Sequence, residues 1–291
     1  MIQAVILDVD GVIVGEKIGY NSPHPHPDVI ARLKTISAQN IPIILSTAKP
    51  NFSVAKIIAD ASLNNPHITD GGGVLLNPLT NEILKQHLIP PQIAQQVIRS
   101  MIENEIYTEF YTLSDYVAQK DQQSKTTEVH THILQRDPIL VDNLEEAAAH
   151  QKITKIMPIA SNKNQQQIVT SLFESLSTRL TLSWGVHPVA NPRQFGIITA
   201  PGISKRQGAI DILEKLNISF ESALGVDDST SDWQFIELCK HGAAMSNASQ
   251  ELKDLVQSKG DKYSYLGPGS GKTESSYAKI RLKRKRFCGH G

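Results

Sequence analysis

Asp8 and Asp10 stand two residues apart, behind the apolar run Ile2–Leu7 and directly before Gly11. Side chains two apart on extended backbone share one face, and a glycine just beyond permits a bend that aims both at one target. With that spacing one carboxylate can attack while the other shuttles the proton. A carboxylate nucleophile that forms an aspartyl-phosphate splits a hard displacement into two easier ones. Other residues able to do chemistry also stand at the ends of apolar runs. Ser46 and Thr47 close Ile41–Leu45, Lys205 follows the stretch that opens at Gly196, and Asp227 and Asp228 close Ala223–Val226, with Asp232 just beyond. So many acids would repel one another unless a hard cation sat among them. Mg2+ suits such a place because it takes few carboxylates together with waters and phosphate oxygens. Lys205 and the hydroxyls would supply the donors that a phosphoryl group needs. Ser204-Lys-Arg-Gln207 has the spacing of a capping box, which puts Lys205 in a helix's first turn, where free N–H groups and the dipole already draw anions.

Taken singly, each piece has a plainer reading. An Asp-x-Asp-Gly is ordinary turn chemistry, Ser46-Thr47 an ordinary helix cap, Lys205 a surface charge, and Asp228 to Asp232 an acidic helix start. The ordered conjunction, each signal ending an apolar run, is what points to a site.

For these residues to meet, the runs before them must be neighbouring strands. Ile2–Leu7 and Ile41–Leu45 read as short buried strands. Val29, Ile30, Leu33 and Ile36 recur at helical spacing, with Asp28 at the start where the dipole favours an acid, and Val54, Ile57 and Ile58 repeat the pattern. Ile68–Leu75 follows. This alternation predicts a parallel sheet covered on both faces, with ligands beyond the carboxyl ends of its strands. From Ile83 to Phe195 the texture changes. Ile106–Thr112 and His130–Leu134 read as β-rich, and helices are expected near 91–103 and 164–176. The opening pattern resumes at Gly196, with a helix carrying Ile210, Leu213 and Leu216 and a strand ending at Asp228. The expected fold class is α/β: a doubly wound, Rossmann-like core of residues 1–82 and 196–278, an inserted α+β cap of residues 83–195, and a basic tail of residues 279–291.

The 291 residues, 40% hydrophobic and 20% charged, suit two modest globular units and exclude an extended or wholly disordered chain. Lys plus Arg equals Asp plus Glu at 29 each, so no bulk field draws the molecule to nucleic acid or membrane. Six of the bases fall in Lys279–Arg286, which leaves a mildly acidic body ahead of a basic end. Two cysteines, Cys239 and Cys288, are too few for a disulfide framework or a thiolate metal site, which favours a reducing, cytoplasmic setting. No apolar run approaches a membrane span, and the first residues are too soon interrupted by Asp8 to form a secretory signal.

The set as a whole resembles the haloacid dehalogenase superfamily, and within it the Cof-type, subclass IIB sugar-phosphatase-like hydrolases, over almost the whole chain. Asp8-Val-Asp-Gly-Val12 is similar to the first motif. That resemblance implies Asp8 as nucleophile and metal ligand, and Asp10 as general acid/base whose backbone carbonyl also touches the metal. Leu45-Ser-Thr-Ala-Lys-Pro50 resembles the second, implying Thr47, with Ser46 alongside, on phosphate. Pro201-Gly-Ile-Ser-Lys205 resembles the third, with Lys205 on phosphate. Gly225-Val-Asp-Asp-Ser-Thr-Ser-Asp232 resembles the fourth, implying Asp228 and Asp232 as metal acids; Ala244-Met-Ser-Asn-Ala-Ser249 resembles the segment that closes the subfamily's pattern. The implied cofactor is Mg2+ and the implied substrate a small phosphorylated metabolite such as a sugar phosphate.

The departures are specific. Ala48 and Lys49 stand where Gly-Arg is usual, which trades a planar bidentate donor for a point charge. Asp227 replaces a usual glycine, Gly71 a common asparagine, and Ser231 a usual asparagine, though its hydroxyl could still reach phosphate. Asp10 favours phosphoryl transfer over dehalogenation, and the missing membrane spans exclude a P-type ATPase. Gly11 and Ser46 are separated by little more than one helix and one strand, so the long stretch between Gly73 and Gly196 must be the cap.

Trp184, His187 and Arg193, late in that stretch, and Asn247 in the closing segment are candidates for substrate contact. The two rings could stack on a sugar and Arg193 could clamp a second anion. A cap strand with one packed aromatic is the alternative. His24 and His26, like His130 and His132, lack further ligands at metal spacing. Gly267-Pro-Gly-Ser-Gly-Lys-Thr273 is one residue short of a phosphate-binding P-loop, and the basic tail is a solvated terminus before it is an RNA-binding element. Two rival readings stay open: a phosphosugar mutase with the same aspartyl-phosphate, and an inactive protein that binds nucleic acid through residues 279–286.

Overall fold

A computed structural model describes residues 1–176, 179–230, 233–258 and 263–266. The basic tail, the Gly267–Thr273 loop, Ser231 and Asp232 lie outside the described residues. In chain order the strands are β1 (Ala4–Leu7), β2 (Ile43–Leu45), β3 (His67–Thr69), β4 (Val74–Asn77), β5 (Glu82–Gln86), β6 (Tyr107–Tyr111), β7 (Tyr116–Gln119), β8 (Ile139–Val141), β9 (Lys155–Ala160), β10 (Thr181–Gly185), β11 (Gln194–Thr199), β12 (Ala223–Asp227), β13 (His241–Met245) and β14 (Tyr263–Leu266). The helices are α1 (Pro27–Ser37), α2 (Asn51–Ala61), α3 (Pro91–Glu103), α4 (Lys125–Leu134), α5 (Leu144–Ala148), α6 (Lys163–Ser175), α7 (Lys205–Lys215), α8 (Trp233–Leu238) and α9 (Gln250–Ser258). Among the described residues no helix is long and apolar enough to cross a membrane.

The first sheet is parallel throughout, in the order β14-β13-β12-β1-β2. All four residues of β1 and all three of β2 are buried. On one face Val5, Leu7, Ile43 and Leu45 pack against Leu33 of α1 and Val54, Ile57 and Ile58 of α2. On the other, Ala4, Ile6 and Ile44 meet Ile212 and Leu213 of α7, Phe235 of α8 and Leu252 of α9. Burying one such side chain is worth about 1.5–3 kcal/mol, more than the ~1 kcal/mol that strand propensities span. Two-sided burial therefore decides the unbroken apolar runs read from the sequence. The sheet matches the expected doubly wound α/β core.

The second sheet has six strands in the order β10-β11-β9-β6-β7-β8, antiparallel except for β7 beside β8. One face carries α3, α5 and α6 over Phe110, Val117 and Ile156. The other gathers Tyr111, Tyr116, Met157, Phe195 and Ile197 with Ile133 and Leu134 of α4, and takes Ala48 and Phe52 from the first unit against it. A three-stranded antiparallel piece, β3-β4-β5, lies between. The expected boundary at residues 82/83 falls inside β5, and that at 195/196 inside β11, all of which lies in the six-stranded sheet.

His130–Leu134 is corrected: it is not β-structure but the last turns of α4. Ser124 and Thr127 form a reciprocal capping box, and Thr126, Thr127, His130, Ile133 and Leu134 make a buried helical stripe. Five residues were too short a window to separate a period of two from one of 3.6. Ile68–Leu75 is shared between β3 and β4, an antiparallel pair reversed at Asp70–Gly72. Gly72 is needed there: with φ at +103°, a Cβ would lie 2.4 Å from the Ser204 carbonyl oxygen, so only glycine lets this turn touch the start of α7.

Candidate active site

The carboxyl ends of β1, β2 and β12 and the start of α7 converge on one cavity of about 280 Å3, lined by Asp8, Asp10, Thr47, Gly71, Trp184, Lys205 and Asp228 among others. Lys205 is the first residue of α7, and Ser204 caps that helix by accepting from the Gln207 N–H at 3.2 Å. The cap aims the lysine back along the sheet, and its Nζ donates to Asp8 Oδ1 at 2.7 Å. Both groups are nearly buried, so the pair is poorly screened.

Asp8, Asp227 and Asp228 each place a carboxylate oxygen within 4.8 Å of the others. Three hard oxygens so close could hold a divalent metal ion, and the donor set fits Mg2+ better than a softer metal. Asp227 does a second job: its Oδ1 accepts from the N–H groups of Asp228 (2.6 Å) and Ser229 (2.8 Å), so it shapes the turn that presents Asp228. Asn247 steadies the same carboxylate, donating through Nδ2 to Asp228 Oδ2 and to the Gly11 carbonyl, both at 3.0 Å.

The Asp10 carboxylate is not in that trio. Its Oδ1 accepts from Lys49 Nζ at 2.7 Å and lies 3.1 Å from His187 Nε2. Burial alone would raise its pKa, but Lys49, with His187 beside it, prevails and holds the carboxyl far below the usual carboxylate range.

The candidates sort as follows. Asp8, Asp10, Thr47, Trp184, Lys205 and Asp228 line the cavity, and Asn247 borders it through Asp228. The backbone N–H of Lys49 bonds the Thr47 hydroxyl at 3.1 Å, which ties that loop together. Ser46 is not brought to the cavity; its side chain is fully buried, and its N–H donates to the Leu7 carbonyl of β1 at 2.8 Å. Arg193 does not face the cavity either. Its Nε donates to the Thr126 hydroxyl of α4 at 3.0 Å, within the six-stranded unit. His187 contacts Asp10 through the small adjoining hollow rather than standing open as a stacking platform. Reading by residue type grouped Asp227 with the converging acids, where the structure also has it, although the resemblance gave it no ligand role; that reading missed the grip of Lys49 on Asp10. A lysine closing the second motif was the available signal.

A model of the haloacid dehalogenase-like hydrolases matches residues 5–261. A protein of Streptococcus pyogenes serotype M6 with a provisional phosphatase description is 19% identical over 88% of this chain and 91% of its own length. A phosphoglycolate phosphatase of Nitrosopumilus maritimus is 27% identical over 40% of this chain and 54% of its own. Among solved structures, a haloacid dehalogenase-like hydrolase from Bacteroides thetaiotaomicron superposes with a TM-score of 0.75 at 16% identity, covering 91% of this chain and 94% of that one. A subclass IIB sugar phosphatase of the same superfamily superposes with a TM-score of 0.70 at 17% identity, covering 90% and 92%.

Proposed function

This chain belongs to the haloacid dehalogenase-like hydrolases, and from that premise we propose that it is a Mg2+-dependent phosphatase that hydrolyses a small phosphomonoester through an aspartyl-phosphate. The observation that carries the reading is Lys205 on Asp8, with Asp227 and Asp228 alongside: a nucleophile, an ammonium and paired acids in one cavity.

In this reading an Asp8 oxygen bonds to phosphorus as the bond from phosphorus to the leaving oxygen breaks, and Asp10 gives that oxygen its proton. Asp10 then takes a proton from the water whose oxygen attacks the acyl phosphate, which frees inorganic phosphate and restores Asp8. Lys205 and the Thr47 hydroxyl hold the charge of the transferring group. Asp8 and Asp228, with Asp227 beside them, would hold Mg2+, which would supply positive charge against the same group. Lys49 and His187 keep Asp10 ionised, as a base must be, while the negative charge of a neighbouring phosphomonoester raises its proton affinity. One group can thereby act as acid first and base second.

The unit of the six-stranded sheet, which runs from after β5 to the end of β11, is read as a cap that closes over the cavity and sets the substrate. The names of the relatives, a phosphoglycolate phosphatase and a sugar phosphatase, support small phosphorylated metabolites as the substrate class. The test is release of inorganic phosphate from 4-nitrophenyl phosphate in Mg2+. Asp8→Asn should lower turnover by about 1,000-fold or more with an unchanged melting temperature. Undiminished turnover in that variant would remove the nucleophile assignment.

A further inference from the structure

His187 lies two residues beyond β10, in the unit of the six-stranded sheet, yet it touches the proposed acid/base of the parallel sheet. Its Nδ1 accepts the Val189 N–H at 3.2 Å. In the neutral ring the proton therefore sits on Nε2, the atom 3.1 Å from Asp10 Oδ1. That N–H does not point straight at the oxygen, so the contact is one of proximity, of the kind that tightens when substrate arrives. Lys49 takes the same oxygen. With Lys49 bonded to Oδ1 and His187 nearest that same oxygen, Oδ2 is the oxygen left to carry and deliver a proton.

The two donors differ in where they come from. Lys49 is in the loop after β2, a neighbour of β1, and stays with Asp10 however the six-stranded sheet is placed. His187 is present only while that sheet is seated on the first. Met157, Phe195 and Ile197 line the hollow that Asp10 and His187 share, and in such dry surroundings a donor near a carboxylate counts for more than in water.

We propose that His187 is a positioning residue for Asp10, so that seating the six-stranded sheet completes the proton-transfer geometry as it encloses the substrate. The inference rests on the phosphatase reading above. It concerns one step: the Asp10 Oδ2–H bond breaks, the proton passes to the leaving oxygen, and that oxygen keeps the electron pair of its former bond to phosphorus.

The step matters in proportion to how poor the leaving group is, and this supplies the test. kcat/KM, which reports events through enzyme phosphorylation, is measured for His187→Ala and His187→Gln in Mg2+ with two esters. One is 4-nitrophenyl phosphate, whose leaving group needs little protonation; the other is phenyl phosphate, whose leaving group needs more. His187→Ala should lose on the order of tenfold to 100-fold more on the phenyl ester than on the nitrophenyl ester, and His187→Gln, which retains an N–H, should recover part of the difference. Retained hydrolysis of the activated ester also certifies that the variant folds. Equal losses on both esters, or none, would overturn the positioning role while leaving the phosphatase reading intact. A wild-type protein that releases phosphate from neither ester would overturn both.

Discussion

Gly11 shows how closely the site is built at the scale of single residues. Its φ is +80°, and a Cβ there would lie 1.8 Å from Asp228 Oδ2. The loop after β1 and the acid after β12 can therefore approach only if this residue has no side chain. Gly11→Ala should raise the Mg2+ concentration for half-maximal activity more than tenfold, because the methyl displaces a carboxylate of the acidic trio. Gly19 is the control: its φ is +78°, yet a Cβ there meets nothing within 4 Å. Gly19→Ala carries the same backbone strain, about 1–3 kcal/mol, and should leave the Mg2+ titration in place. Equal shifts in the two variants would mean that strain, not contact, is being measured. At this scale much was legible: a glycine behind Asp-x-Asp announces a bend. The grip of Lys49 on Asp10 was not legible, because a lysine's reach says nothing about which acid it finds.

Among the elements, β2 ends the parallel sheet and its outer edge is closed by side chains. The Leu45 N–H donates to His67 Nδ1 at 3.1 Å, and Asn65 Nδ2 donates to the Ile43 carbonyl at 3.1 Å. His67 Nε2 lies 3.2 Å from the Leu63 carbonyl, so the ring proton belongs on Nε2 and a second proton would have to displace the Leu45 bond. Burial pushes the His67 pKa down from 6.5 to about 4. Between these values the unfolded chain binds a proton that the folded protein refuses. The stability His67 allows is complete above pH 6.5, falls as pH drops toward 4, and levels off below, a loss of about 3 kcal/mol. Urea unfolding across this window should show the decline in the native protein and a flatter one in His67→Gln, which is also less stable at pH 7; parallel slopes would refute the account. The sequence located β2 but not its partner. The apolar run specifies a strand, whereas His67 becomes an edge cover only once β3 lies alongside.

For the molecule as a whole, the two sheets are joined through a buried lysine. Lys155 of β9 has its Nζ 3.7 Å from Asp70 Oδ1, bonded to the Ala48 carbonyl and 4.0 Å from the Tyr111 ring centroid. Lys155 and Asp70 are both fully buried, and burial pulls the lysine pKa down and pushes the aspartate up. Removing the lysine strands an acid in the interior, so Lys155→Met should cost about 3–5 kcal/mol. Adding Asp70→Asn should restore part of that loss, a coupling that a double-mutant cycle measures; strictly additive losses would show that the pair does not join the units. Neither residue stands out in the sequence, where Lys155 is one charge in an apolar strand. What the sequence determined by itself is the alternation of strands and helices and the chemistry at each strand's end, because periodicity and turn residues act over a few neighbouring positions. Only the tertiary structure decided that His187 meets Asp10, that Lys155 meets Asp70 and that Ser46 is sealed away. Those contacts arise when two sheets dock or a strand's end is buried, and no local pattern records the register at which distant surfaces come together.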